Sequence, residues 1–196
     1  MEHYFSEKTK IPSDPKRITL YFNKKSYPFI TDRGVFSKDR LDFGTDLLIK
    51  TSLDRISGEV LDLGCGYGPV GTLVYLHLGI VCHMSDVNQR ALELAKKNLE
   101  LNKAKGKVFY SDGFSKIDKK FDVILFNPPI RRGKETIYFL FKEARQHLYP
   151  GGRLMIVIQK KQGMKSAKKR LEELFANVVV LDKKAGYYIL EARREV

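Results

Sequence analysis

Tryptophan is absent from this 196-residue chain, cysteine occurs twice and histidine four times. Two cysteines cannot build a disulfide scaffold or the four-ligand set of a structural zinc site. Cys65 and Cys82 therefore read as reduced thiols of a cytoplasmic protein. His3, His77, His83 and His147 show no close ligand spacing, so no metal site is expected. Long apolar runs are missing too. The one uncharged segment long enough to be mistaken for a membrane span is the 23 residues between Asp62 and Asp86. Gly64, Gly66, Gly68, Pro69, Gly71 and Gly79 break it into strand, loop, helix and strand. Met-Glu-His-Tyr-Phe-Ser-Glu-Lys at the start holds no apolar stretch of signal-peptide type. Negative charge is the scarcer sign: 23 Asp and Glu face 36 Lys and Arg, for a net charge of +13. Such an excess favours a phosphate polymer as partner through counterion release, with plain solubility charge as the blander account.

What is present is enough for a core, since 43% of residues are hydrophobic, and the length suits one catalytic-size domain. From residue 58 onward, apolar strands alternate with amphipathic helices. Glu59–Leu63, Ile80–Ser85, Lys107–Ser111, Phe121–Phe126, Leu154–Ile158, Val178–Leu181 and Tyr187–Leu190 read as strands. Pro69 suits a first helical position and Gly79 the residue past its end, and Asn88 can cap the next helix. Ile137, Leu140, Phe141, Ala144 and Leu148 mark a further helix that Pro150-Gly151-Gly152 is expected to stop. Met164 to Phe175 marks the last. The pattern predicts an α/β fold, a mostly parallel sheet covered on both faces, with ligands beyond the carboxyl ends of its strands. Residues 1–57 read as an N-terminal extension, a hairpin (Ile18–Phe22, turn, Tyr27–Thr31) and a helix packed on the 58–196 catalytic domain.

The loop Asp62-Leu-Gly64-Cys65-Gly66-Tyr-Gly68-Pro-Val-Gly71 joins a strand to a helix, where free amides and bare backbone can approach a ligand. From Gly66 it also matches a dinucleotide fingerprint, with Asp86 at a suitable distance. Asp62 opposes that reading, because its carboxylate would stand beside a pyrophosphate. A ligand with an ammonium group would pair with it instead. S-adenosylmethionine carries an ammonium, a ribose diol for Asp86 at the next strand end, and an adenine amino group for Asp112, with Gly113 leaving room for the ring. Each Asp alone could be only a cap, but three at successive strand ends favour the ligand. The fourth strand runs into Asn127-Pro128-Pro129-Ile130. Prolines remove donors, so the Asn side chain and a carbonyl can face one site as acceptors for an amine with two hydrogens. An ordinary turn is the alternative.

Asp-Leu-Gly-Cys-Gly-Tyr-Gly with Asp86, Asp112 and Asn-Pro-Pro-Ile resembles class I S-adenosylmethionine-dependent methyltransferases acting on planar amino groups. Gly34-Val-Phe-Ser-Lys-Asp-Arg-Leu-Asp-Phe-Gly-Thr45, Gln159-Lys-Lys-Gln-Gly163 and Gly186-Tyr-Tyr-Ile189 resemble more specifically the small-domain family related to 16S ribosomal RNA guanine-N2 methyltransferases. The resemblance runs from about Ile30 to Ala192. It implies a Rossmann-like seven-stranded sheet with its last strand antiparallel, and cofactor contacts at Phe36, Asp62, Gly64, Cys65, Gly66, Asp86, Val87, Asp112, Gly113 and Asn127. Catalysis is expected from Asn127, Pro128, Pro129 and Ile130. Two departures stand out. Ile130 occupies a position usually aromatic, so Phe36 or Tyr67 is expected to cover the base, and the chain is too short for the degenerate second domain of the larger enzymes. Arg131, Arg132, Lys134, Lys160 and Lys161 are expected to form a rim for RNA phosphates. The expected activity is N-methylation of an exocyclic base amine, foremost guanine-N2 of ribosomal RNA. Adenine-N6, a protein glutamine and a non-catalytic binding role are the alternatives.

Overall fold

Two strands open the described part of the chain, β1 (Lys16–Phe22) and β2 (Lys25–Thr31), paired antiparallel from Lys16 opposite Thr31 to Phe22 opposite Lys25. Asn23 and Lys24 form the turn with φ of 47° and 63°, the left-handed pair that matches the twist of a two-residue hairpin. Alternation turns Leu20, Phe22 and Phe29 inward. This computed structural model describes residues 11–37 and 40–196; the first ten residues of the expected extension, His3 among them, and Lys38 and Asp39 lie outside the described residues. Helix α1 (Phe43–Ser52) follows, capped by Asp42, whose Oδ2 accepts from the Thr45 amide at 3.0 Å.

The remaining elements are β3 (Val60–Leu63), α2 (Pro69–Leu78), β4 (Cys82–Asp86), α3 (Gln89–Leu101), β5 (Gly106–Tyr110), β6 (Phe121–Phe126), α4 (Lys134–Gln146), β7 (Leu148–Gln159), α5 (Met164–Leu174), β8 (Asn177–Lys184) and β9 (Tyr187–Arg193). Seven strands form one sheet in the order β5-β4-β3-β6-β7-β9-β8, parallel except for β9, which runs antiparallel to both neighbours. The α/β class and the antiparallel last strand expected from the sequence are therefore present. Side-chain alternation divides the core. Leu61, Leu63, Ile124, Phe126, Leu154 and Ile156 pack under α4 and α5, whereas Val60, Val123, Leu125, Met155 and Val157 pack under α1 and α2. Asp62, one position from Leu61 and Leu63, thus points to the α1/α2 face.

The hairpin is tied to this core by Asn98 of α3, which is fully buried. Its Oδ1 accepts from the Ile30 amide at 2.6 Å, and its Nδ2 donates to the carbonyls of Ile30 and of Tyr67 in the glycine loop, both at 2.8 Å. One expectation fails. Pro150-Gly151-Gly152 does not stop the helix: α4 ends at Gln146, and Leu148 already belongs to β7. Between the paired positions Phe121–Leu148 and Val123–Arg153, Asp122 alone stands opposite Tyr149 to Gly152. That bulge accepts a proline without a donor and Gly151 at φ 76°, so the residues that read as a helix stop are a strand irregularity.

Candidate active site

Strand order reverses between β3 and β6, which pair at Leu63 and Phe126, so Gly64 and Asn127 leave the sheet side by side at its carboxyl edge. Asp62 lies just beneath, 3% exposed. Its Oδ2 accepts from the Gly71 amide in the first turn of α2 at 3.1 Å, its one hydrogen bond among the described residues. Burial pushes its carboxyl up to about 7, the charge of Asp86 adds to the rise, and the Gly71 amide opposes it. Asp86 at the end of β4 is better served, with the amides of Gly66 and Asn88 each at 2.8 Å. Burial still raises its carboxyl above the ordinary range, outweighing those donors and the charge of Arg132.

A cleft opens over these carboxylates. Phe36, Asp62, Gly64, Cys65, Gly66 and Asp86 line it, together with Thr45, Asn127 and Pro128. Gly64 and Gly66, at φ 71° and 56°, have no heavy atom within 4 Å of where a Cβ would stand, which leaves bare backbone toward the ligand space. The Cys65 thiol is buried 3.6 Å from the Gly66 carbonyl, and burial raises its pKa well above the usual thiol range, so it is a wall and not a nucleophile. A second recess shares Gly64, Asp86 and Asn127 and adds Val87, Asp112, Gly113, Pro129 and Arg132. A Cβ on Gly113 would meet Leu140 Cδ2 at 2.6 Å.

The turn after β6 is held by its own backbone. The Pro128 carbonyl accepts from Ile130 N at 2.9 Å and the Pro129 carbonyl from Arg132 N at 2.8 Å. A carbonyl has two lone pairs, so Pro128 keeps one acceptor site. Asn127 Nδ2 donates to Thr45 Oγ1 of α1 at 3.0 Å. Sequence reasoning missed Thr45. The signal for its helix cap, Asp42 three residues earlier, was readable, but its contact with Asn127 joins residues 82 apart.

Of the basic residues expected at the rim, Arg131, Lys134, Lys160 and Lys161 are exposed. The two loops adjoin, since Lys134 Cε lies 3.8 Å from where a Gly163 Cβ would stand. Arg132 differs: its Nη1 donates to Asp112 Oδ1 at 3.1 Å, over the recess rather than on the outer rim. Tyr67 cannot cover a base. It is 2% exposed and packs edge-on against Phe29 under the hairpin, whereas Phe36 is 43% exposed at the cleft mouth. Among the described residues, no helix is long and apolar enough to cross a membrane, and no group of three His, Cys, Asp or Glu side chains could hold a metal ion.

The donor set fits S-adenosylmethionine. A buried carboxylate with a single N–H donor calls for a cation, Asp86 retains lone pairs for a diol, and the bare glycine backbone admits close approach. A glycine loop at the switch point, with carboxylates at successive strand ends, defines a nucleoside-binding α/β domain. Residues 26–191 match the methyltransferase small domain family, and the chain belongs to it. The Bacillus subtilis protein YbxB is 45% identical over 198 residues, 98% of each chain. Ribosomal RNA small subunit methyltransferase C of Mannheimia succiniciproducens is 45% identical over 129 residues, which cover 63% of this chain and 39% of that protein. The solved T. thermophilus 16S rRNA N2 G1207 methyltransferase, in complex with AdoMet and guanosine, superimposes with a TM-score of 0.83 at 27% identity. The match covers 95% of this chain and 52% of that one, so the chain spans about half or less of these ribosomal RNA methyltransferases.

Proposed function

We propose that the protein transfers a methyl group from S-adenosylmethionine to an exocyclic base amine of RNA, the amine being guanine N2 of ribosomal RNA. One observation carries this reading: Asn127 and Pro128 line the same cleft as Asp62 and Asp86, so the acceptors for an amine and the carboxylates for the cofactor face one space. When bound, the cofactor supplies an electrophilic methyl on a sulfonium and leaves as the neutral thioether. Asp62 pairs with its ammonium and Asp86 with its ribose hydroxyls. An aromatic amine is a weak nucleophile because its lone pair is delocalised into the ring. Asn127 Oδ1 and the free lone pair of the Pro128 carbonyl accept its two hydrogens and turn the nitrogen lone pair toward the methyl. The nitrogen would take the methyl as the thioether leaves, and one amine proton would then pass to water. Catalysis is thus positioning plus stabilisation of positive charge arriving on nitrogen.

Phe36, half-exposed at the mouth, covers the base that Ile130 cannot stack on. The net charge of +13 and the exposed Arg131, Lys134, Lys160 and Lys161 favour a polyanion over a protein glutamine. The ribosomal RNA methyltransferases that the chain matches point to the same substrate class. The test is to incubate total RNA with radiolabelled cofactor and the protein, digest to nucleosides and separate them. Label in N2-methylguanosine is expected. Label in another nucleoside would move the specificity, and label confined to protein would refute the RNA reading.

A further inference from the structure

The amide of Asn127 can do its work only in one of two orientations. With Oδ1 toward the substrate it accepts from an amine; flipped, it presents N–H groups that repel one. Nothing in the Asn-Pro-Pro turn itself chooses between them. The choice is made on α1. Thr45, 6% exposed, has its hydroxyl 3.3 Å from Asp42 Oδ2, to which it donates, while the same carboxylate oxygen caps the helix through the Thr45 amide at 3.0 Å. A hydroxyl has a single proton. With that proton committed to a carboxylate, Thr45 Oγ1 faces Asn127 as an acceptor only, and Asn127 Nδ2 donates to it at 3.0 Å. A flipped amide would set Oδ1 against an oxygen with no hydrogen to offer. Oδ1 itself has no donor among the described residues, on a residue that lines both the main cleft and the recess. Gly44 leaves room for the Asp42 carboxylate, since a Cβ there would stand 3.0 Å from Asp42 Oδ2 and 2.9 Å from the Tyr187 ring.

We propose that Thr45, polarised by Asp42, is a positioning residue that locks the Asn127 amide with its oxygen toward the substrate amine. The inference rests on the amine-acceptor role given to Asn127 above, and the test separates the two. Thr45→Val keeps the volume and the backbone cap but removes the hydroxyl; Thr45→Ser keeps it. With labelled cofactor and protein-free 16S ribosomal RNA, Thr45→Val should lower kcat by about ten- to a hundredfold, the order set by losing one oriented acceptor, with KM for RNA and cofactor affinity each changing less than about threefold. Thr45→Ser should recover most of the loss. The Thr45→Val, Asn127→Ala double variant should be no slower than Asn127→Ala alone, because the two act through one amide. A second readout needs no turnover: the Asn127 side-chain amide protons, assigned by their disappearance in Asn127→Ala, should exchange with water more slowly in the native protein and Thr45→Ser than in Thr45→Val. Equal exchange in all three, a loss in Thr45→Val that serine does not restore, or additive effects in the double variant would overturn the proposal. If Asn127→Ala alone turns over normally, the acceptor reading falls; if Asn127→Ala is slow and Thr45→Val is not, only the positioning role falls.

Discussion

Lowering the pH from 7.0 to 5.5 while measuring affinity for S-adenosylmethionine probes the buried carboxylate of Asp62. In the free protein that group titrates near 7, held up mainly by burial, with Asp86 nearby and only the Gly71 amide donating to it. An ammonium pairs with the ionised form, so binding pulls the pKa down and the protonated fraction must release its proton. The sign follows: affinity rises with pH up to about 7 and falls below it. For a site at about 7 that binds only when ionised, the apparent Kd scales as 1 + 10^(7 − pH), and the drop to pH 5.5 weakens binding about 16-fold. The window stays below about 7.7, where the α-amino group of the ligand would begin to lose its own proton. Calorimetry in two buffers of different ionisation enthalpy gives the affinity and the proton count together. At pH 6 about 0.9 proton should leave per site, from the same titration curve. Asp62→Asn should bind more weakly at pH 7 and lose the steep dependence. In the cofactor-free protein the same shift has a stability counterpart. A carboxyl raised in the fold contributes stability below its unfolded pKa and loses it as pH rises through about 7, so the cofactor-induced rise in Tm should be larger at pH 7 than at 5.5. Affinity that is flat from 5.5 to 7, or equally steep in Asp62→Asn, would refute the assignment.

Three other outcomes are expected. Asp86→Ala removes charge-assisted hydrogen bonds worth about 1.5–3 kcal/mol, so cofactor affinity measured by calorimetry should fall about tenfold or more, and unchanged affinity in a folded variant would defeat the ribose role. Replacing Arg131 and Lys160 by Ala together should flatten the log–log salt dependence of RNA affinity by roughly one to two units, at about 0.7 per neutralised phosphate on single strands, with cofactor binding intact; an unchanged slope would remove these loops from the RNA path. Gly71→Ala would place a Cβ 2.5 Å from Met84 Sδ, and that overpacking between α2 and β4 should cost about 1–3 kcal/mol of stability, read as a lower Tm.

Much of the sheet was legible because period-2 alternation and the strand-ending Asp, Gly and Asn residues are local signals. Val60–Leu63, Phe121–Phe126, the Pro69 and Gly79 helix bounds and the Asn88 cap all follow from neighbours in sequence. Pro150-Gly151-Gly152 misled because the same residues serve a helix stop and a strand bulge, and only pairing with β6 decides between them. Within the site, residue types at strand ends could be read, but not which side chains meet. Arg132 turning to Asp112, Tyr67 closing under Phe29 and Thr45 receiving Asn127 are contacts across 20, 38 and 82 positions, fixed by how the hairpin and α1 lie on the sheet. No composition or periodicity encodes them.

Asn98 gives the hairpin a standing beyond that of a decoration on the sheet. Its amide pairs with Ile30 as the peptide group of a neighbouring strand would, and its second proton reaches the Tyr67 carbonyl inside the glycine loop. Lifting β2 away would strand donors and acceptors in a dry interior at about 1–3 kcal/mol for each group left unpaired. Local opening of the hairpin and loosening of the loop beneath it are therefore one event with one free energy. The hairpin and the glycine loop are expected to open together despite their distance in sequence.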